Sequence, residues 1–198
     1  NVEFESALIK HKYSIKTNKK IALFVRPEDS FEVPQEEWHK VLDHLRRMNF
    51  CIIIKSRGKH SIRFAPKAAR KADYVFEDYS WFPHDMMELI HISDVCINMD
   101  SSACMEMVMD NTPFLNYRVS DRPHVKAYAK SVGLSERVNN FIYDYGFCKD
   151  NEEFLDFEDF KKQIEYLIEE DHSQEFSRIK DEYFFDKSKT LHNIILNI

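Results

Sequence analysis

Glycine is scarce in this chain, with three in 198 residues. The glycine-rich turns that cradle phosphate in dinucleotide-binding and P-loop proteins need more, and neither GxGxxG nor Walker A occurs. NAD-type and P-loop chemistry are therefore poor fits. Cysteine is also sparse: Cys51, Cys96, Cys104 and Cys148 are scattered without CxxC spacing. Cys51 and Cys96 lie in apolar runs, where cysteine acts as a small hydrophobe, so a reducing, intracellular setting is expected. No apolar run approaches the ~20 residues that span a bilayer. No GxSxG and no Cys-His arrangement argues for nucleophilic catalysis. The first residue is Asn1 rather than Met, which reads as a fragment or a processed form.

What is present suits one domain, or a domain with an extension. A hydrophobic fraction of 43% and an aromatic fraction of 14% favour a compact globule over disorder. The formal net charge of −6 disfavours a nucleic-acid binder. Charge is unevenly spread, however. "KSRGKHSIRFAPKAARK" (55–71) is basic without one acid, while 150–171 is strongly acidic. A basic island in an acidic protein points to a small anionic ligand. A solvated positive face, or a patch for anionic lipid, is the competing reading.

Apolar runs at 19–25, 50–56, 73–77, 94–99 and 112–119 read as strands. Helical patterns fall between them at 34–48, 83–93 and from about Ser101. Pro34 opens the first of these, with Glu36 and Glu37 in its first turn and Arg46 and Arg47 in its last. Alternation at this spacing predicts parallel strands with crossover helices. The expected fold is a doubly wound α/β domain over 18–198, Rossmann-like, with a C-terminal helical extension from about 150. Residues 1–17 lack a clear period and read as a linker or the edge of another domain.

The chemistry is expected where "DVCIN" runs through Asp100, Ser101 and Ser102 into "ACMEMVMD". Free N–H groups at a helix start, with the dipole behind them, make an anion site, and serine hydroxyls add donors. Asp100 or Ser101 as a simple helix cap accounts for the spacing equally well. Glu106 lies one turn into a helix otherwise made of Ala, Cys, Met and Val. A carboxylate there can accept both hydroxyls of a ribose, although an exposed helical glutamate needs no special account. His84, Asp85 and His91 lack a third ligand at a familiar spacing, so no metal is expected. Asp100 at a strand end suggests a phospho-receiver, but "ALFVRPED" has no acidic pair after the first strand.

The run "ISDVCINMDSSACMEMVMDNTPFLNY" resembles the donor-binding, C-terminal half of GT-B glycosyltransferases. Within that class it is most similar to the CDP-glycerol glycerophosphotransferase and surface-polysaccharide transferase group. "CIIIKSRGKH" is similar to that group's strand ending in Lys-x-His-Pro, but has Arg57, Gly58 and Lys59 where the motif is tighter. Asp100-Ser101-Ser102 also lacks the aromatic residue of the glycerophosphotransferase turn.

The resemblance implies transfer of a sugar or glycerol phosphate from a nucleotide-activated donor to a hydroxyl, with no resident cofactor. Ser101, Ser102 and the Ala103 amide would hold the donor diphosphate. Lys55, Arg57 and Arg26 would neutralise it, Glu106 would hold the ribose, and Trp81 or Phe82 would lie near the base. The implied partners are a nucleotide-sugar or CDP-glycerol-like donor and an N-terminal domain carrying the catalytic base. The implied setting is the cytoplasm, with peripheral membrane association among the expectations. The alternatives are a nucleotide-sugar epimerase or hydrolase, which would prefer glycine at Ser101 and Ala103, and a non-catalytic binding domain.

Overall fold

The computed structural model describes residues 2–25, 35–56, 69–77, 84–99, 101, 103–117, 150–151 and 155–183. Its helices are α1 (Val2–Lys12), α2 (Gln35–Arg47), α3 (His84–His91), α4 (Ala103–Asp110), α5 (Phe157–Glu169) and α6 (Ser173–Tyr183). Its strands are β1 (Ile21–Val25), β2 (Cys51–Ser56), β3 (Tyr74–Glu77), β4 (Val95–Asn98), β5 (Phe114–Tyr117) and β6 (Asp150–Asn151). They form one parallel sheet in the order β3-β2-β1-β4-β5-β6. This is the doubly wound α/β architecture that the sequence predicts.

Every residue of β1 is buried, because helices cover both faces of the sheet. On one face Ile21, Leu23, Val25, Ile53, Cys96 and Phe114 meet α3, α4 and α6. On the other, Phe24, Ile52, Ile54, Ile97 and Tyr117 meet α2 and α5. The amphipathic period of α2 delivers Trp38, Val41, Leu42 and Leu45 to that second face, where Trp38 stacks on Phe24 at 5.6 Å between centroids. Burial of each such side chain is worth about 1.5–3 kcal/mol. Cys51, Cys96 and Cys104 are buried thiols, and burial pushes the Cys96 thiol well up.

Two aspartates pin the strand register from the amino end. Asp94 accepts the Ile21 N–H at 2.7 Å, and Asp73 accepts the Ile52 N–H at 2.8 Å. Each returns its own N–H to the carbonyl of the same residue, at 2.9 Å in both cases.

Residues 2–12, in the segment expected as a linker or the edge of another domain, form α1, which packs on this domain through Ile9, with Tyr13 and Ile15 just beyond it. The Tyr13 hydroxyl reaches Asp85 Oδ1 at 2.8 Å and also the Glu88 carboxylate, while Lys12 pairs with Glu88 at 2.6 Å. Burial, reinforced by those carboxylates, pushes the Tyr13 pKa well above its ordinary value. The period was hidden because Phe4 and Leu8 face solvent, so no apolar stripe marks the helix.

The C-terminal helices close the domain as the sequence predicts, and they belong to its core. Phe160, Ile164 and Leu167 of α5 and Phe176 and Ile179 of α6 seal opposite faces of the sheet. Lys180 also donates to Met109 O at 2.9 Å and Asn111 Oδ1 at 2.7 Å, fastening α6 to the end of α4. Asp150 and Asn151 add a sixth strand by pairing with Asn116 and Tyr117.

The lack of glycine leaves its mark at helix ends. Ser14, Asn49 and Asn111 take left-handed conformations, with φ of 55°, 61° and 62°. Each follows a helix whose last carbonyls are closed by the same pair of backbone bonds, as in Phe50 N–H to Leu45 O at 3.1 Å. Asparagine tolerates this region because its short polar side chain bonds locally. Asn49→Ala should lower stability by about 1 kcal/mol, while Asn49→Gly should leave it unchanged or raise it. Equal denaturant midpoints for the two variants would mean that the left-handed conformation is not limiting.

Candidate functional site

From β1 the chain winds outward through β2 to β3, then returns to place β4 against the other side of β1. The crossovers on either side of β1 therefore lie on opposite faces. The switch point between β1 and β4 lies at the carboxyl ends of these two strands, the place where open α/β sheets bind ligands.

Buried polarity gathers at that end. The buried polar or charged residues among those described are Lys55, Asn98, Ser101, Thr112, Asn116 and His172. Four of the six, Lys55, Asn98, Ser101 and Asn116, stand at or just beyond the carboxyl ends of β2, β4 and β5. Strand alternation puts Lys55 on the face of Cys51 and Ile53, and Asn98 and Asn116 on the face of Cys96 and Phe114. That is the face covered by α4. Lys55 is 4% exposed and lies beside Val25 of β1. Two inter-strand steps, about 10 Å, separate it from β4.

Asn98 and Asn116 are opposite each other across β4 and β5 and are wholly buried. Asn98 Nδ2 donates to Asn116 Oδ1 at 2.8 Å and to the Ser101 carbonyl at 3.1 Å. The Cys104 N–H donates to that same carbonyl at 3.2 Å. Ser101 Oγ accepts the Ala103 N–H at 3.4 Å, a long contact that holds this donor only weakly. Ser101 thus does have a capping contact, but a poor one. Glu106 is half-buried in the first turn of α4, where its charge complements the dipole.

The structure brings Ser101, Ala103 and Glu106 together at the start of α4 and puts Lys55 on the same face. Ser102, Arg26, Arg57, Trp81 and Phe82 lie outside the described residues. Asn98 and Asn116 were missed. Their signal was a single asparagine at or near the end of an otherwise apolar run, in "VCIN" and "FLNY". Among the described residues no group of three or more His, Cys, Asp or Glu is placed to hold a metal. Asp85 instead bonds Tyr13, and His91 Nδ1 lies 2.9 Å from Asp110. No described helix is long and apolar enough to cross a membrane.

The amide pair makes a stability prediction. Asn116→Val alone should destabilise by about 1–3 kcal/mol, because it strands a buried Asn98 donor. Asn98→Val combined with Asn116→Val should cost less than the sum of the two single changes. Strict additivity in a double-mutant cycle by urea denaturation would show that the two amides are not coupled.

No protein-family model and no curated protein matches this chain. Solved structures do. A variant of the wall teichoic acid polymerase TagF superposes with a TM-score of 0.58 at 15% identity, over 91% of this chain and 43% of that one. A TagF variant soaked with CDPG gives 0.55 at 13% identity, over 91% and 40%. The C-terminal CMP-Kdo binding domain of WaaA from Acinetobacter baumannii gives 0.51 at 10% identity, over 91% of this chain and 96% of that domain. This chain spans about two fifths of the TagF chains. Its fold is the Rossmann-like α/β fold that these GT-B glycosyltransferases share.

Proposed function

We propose that this domain binds a nucleotide-activated donor and serves a glycosyltransferase-like reaction, transferring a sugar or glycerol phosphate to a hydroxyl acceptor. The observation that carries the reading is the meeting of three features at one sheet end. The N-terminus of α4 opens at the switch point, Ser101 is held there from below, and Lys55 lies on the same face. The start of α4 and Lys55 receive the donor's phosphates, Glu106 takes the ribose hydroxyls, and no resident cofactor is needed. The names of TagF's soaked ligand, CDPG, and of WaaA's CMP-Kdo domain support a cytidine nucleotide as the first probe.

Transfer from such a donor needs stabilisation of the leaving nucleotide's phosphate charge. Fixed backbone dipoles and a lysine supply that without a covalent nucleophile. The acceptor and its base come from outside this unit, since proximity across a closed cleft provides much of the rate in two-domain transferases.

Titration calorimetry tests the phosphate site: CDP should bind at least tenfold more tightly than cytidine, a ratio of the order expected from one charge-assisted bond. Equal affinities would remove phosphate recognition from the account. Glu106 is tested separately with 2′-deoxy-CDP, which should bind about 1–2 kcal/mol more weakly than CDP to the native chain. In Glu106→Ala that preference should vanish. A variant that still prefers ribose would return Glu106 to an ordinary helix-surface role.

A further inference from the structure

The carboxamide of Asn98 has two N–H donors and one oxygen acceptor. Both donors are engaged, one by Asn116 Oδ1 at 2.8 Å and one by the Ser101 carbonyl at 3.1 Å. Its Oδ1 is buried and has no partner among the described residues. The two acceptors fix which end of the amide is nitrogen, because a flipped group would set oxygen against the Ser101 carbonyl. The geometry is unlike that of an amide kept only to fill a core. Val95 and Ile97 show that this strand takes β-branched residues readily, and one at position 98 would avoid burying an amide. The open acceptor lies on the same amide that grips the turn into α4. A hydroxyl or a water carried by a ligand there would complete its hydrogen bonds.

We infer that Asn98 is a positioning residue for the phosphates of the bound donor, acting through Ser101; the inference rests on the donor-site reading above. Peptide groups are planar, so holding the Ser101 carbonyl fixes the plane of the peptide that leads into α4. The same oxygen accepts the Cys104 N–H at 3.2 Å, which ties the first turn of the helix to the sheet through one atom. Asn116 holds the Asn98 amide upright from the neighbouring strand. The direction of the donors at the start of α4 is thereby set by β4 and β5, elements buried at their full length.

The experiment compares Asn98→Val with Asn98→Thr, which share a shape and differ by one hydroxyl, a donor one bond nearer the backbone than the amide nitrogen. For each, calorimetry gives the affinity for CDP and for cytidine, and a thermal melt shows that the chain is folded. Positioning predicts that Asn98→Val loses about tenfold in the CDP-to-cytidine ratio while cytidine affinity holds, and that Asn98→Thr recovers part of it. General damage would lower both affinities together and would overturn the proposal. So would an unchanged ratio in Asn98→Val. Native protein with no preference for CDP overturns the donor site itself, and is told apart from failure at Asn98 because it needs no variant. If Asn98→Val does not fold, Asn98→Ala against Asn98→Ser makes the same comparison with smaller side chains.

Discussion

β1 is hydrogen-bonded on both edges and covered on both faces, and every other element is placed by that demand. Parallel pairing with β2 on one side and β4 on the other cannot be made by hairpins. Each neighbour needs a crossover, and right-handed crossovers on opposite sides of a strand lie on opposite faces of the sheet. That puts α2 on one face and α3 and α4 on the other. The switch point at the carboxyl end of β1 is thus a by-product of burying Ile21–Val25, and switch points are where open α/β sheets place their ligands.

Scarcity of glycine shapes how the site can be built. A glycine turn lets a phosphate approach bare backbone and adopts its conformation without support. Here the turn after β4 has serine and alanine, and it is held by hydrogen bonds from beneath. The Asn98–Asn116 pair takes that part, at the expense of burying two amides against the apolar face of Cys96 and Phe114. The same economy appears at helix ends, where Asn49 and Asn111 stand in the left-handed position usually given to glycine. Asn111 gains a second use, since its Oδ1 accepts from Lys180 and draws α6 onto α4.

The five main strands were legible because full burial writes continuous apolar runs into the sequence, and "KKIALFV" and "FCIIIKS" are unambiguous in that respect. Helix α2 was legible from its charge bias and its buried face. Helix α1 was not, because its contacts come mainly from Ile9 and from residues beyond its end, while Phe4 and Leu8 point outward. β6 was hidden for a different reason. Two polar residues at a sheet edge carry no period, and what identifies them is pairing with Asn116 and Tyr117. At the candidate site, Ser101 and Glu106 could be read from their position after a strand. Asn98 and Asn116 could not be paired from sequence, because they are distant in the chain and only the register of β4 and β5 sets them face to face.

The placement of polarity separates the two ends of the sheet. At the amino end Asp73 and Asp94 are consumed by strand N–H groups. His91 Nδ1 and Thr112 Oγ1 meet the Asp110 carboxylate between α3, α4 and β5, leaving His91 Nε2 buried without a partner among the described residues. These contacts hold register and helix ends, and each carboxylate in them has a structural partner. At the carboxyl end the pattern differs. A buried amide keeps an open acceptor, Ser101 holds the Ala103 N–H only at long range, and a lysine is buried one strand away from the switch point. Among the described residues, buried atoms without a partner occur at both ends, so it is the gathering of Lys55, Asn98, Ser101 and Asn116 at the carboxyl ends of the strands that sets that end apart. Buried polarity gathered at a topological switch point is the physical argument for a ligand at the carboxyl end rather than the amino end.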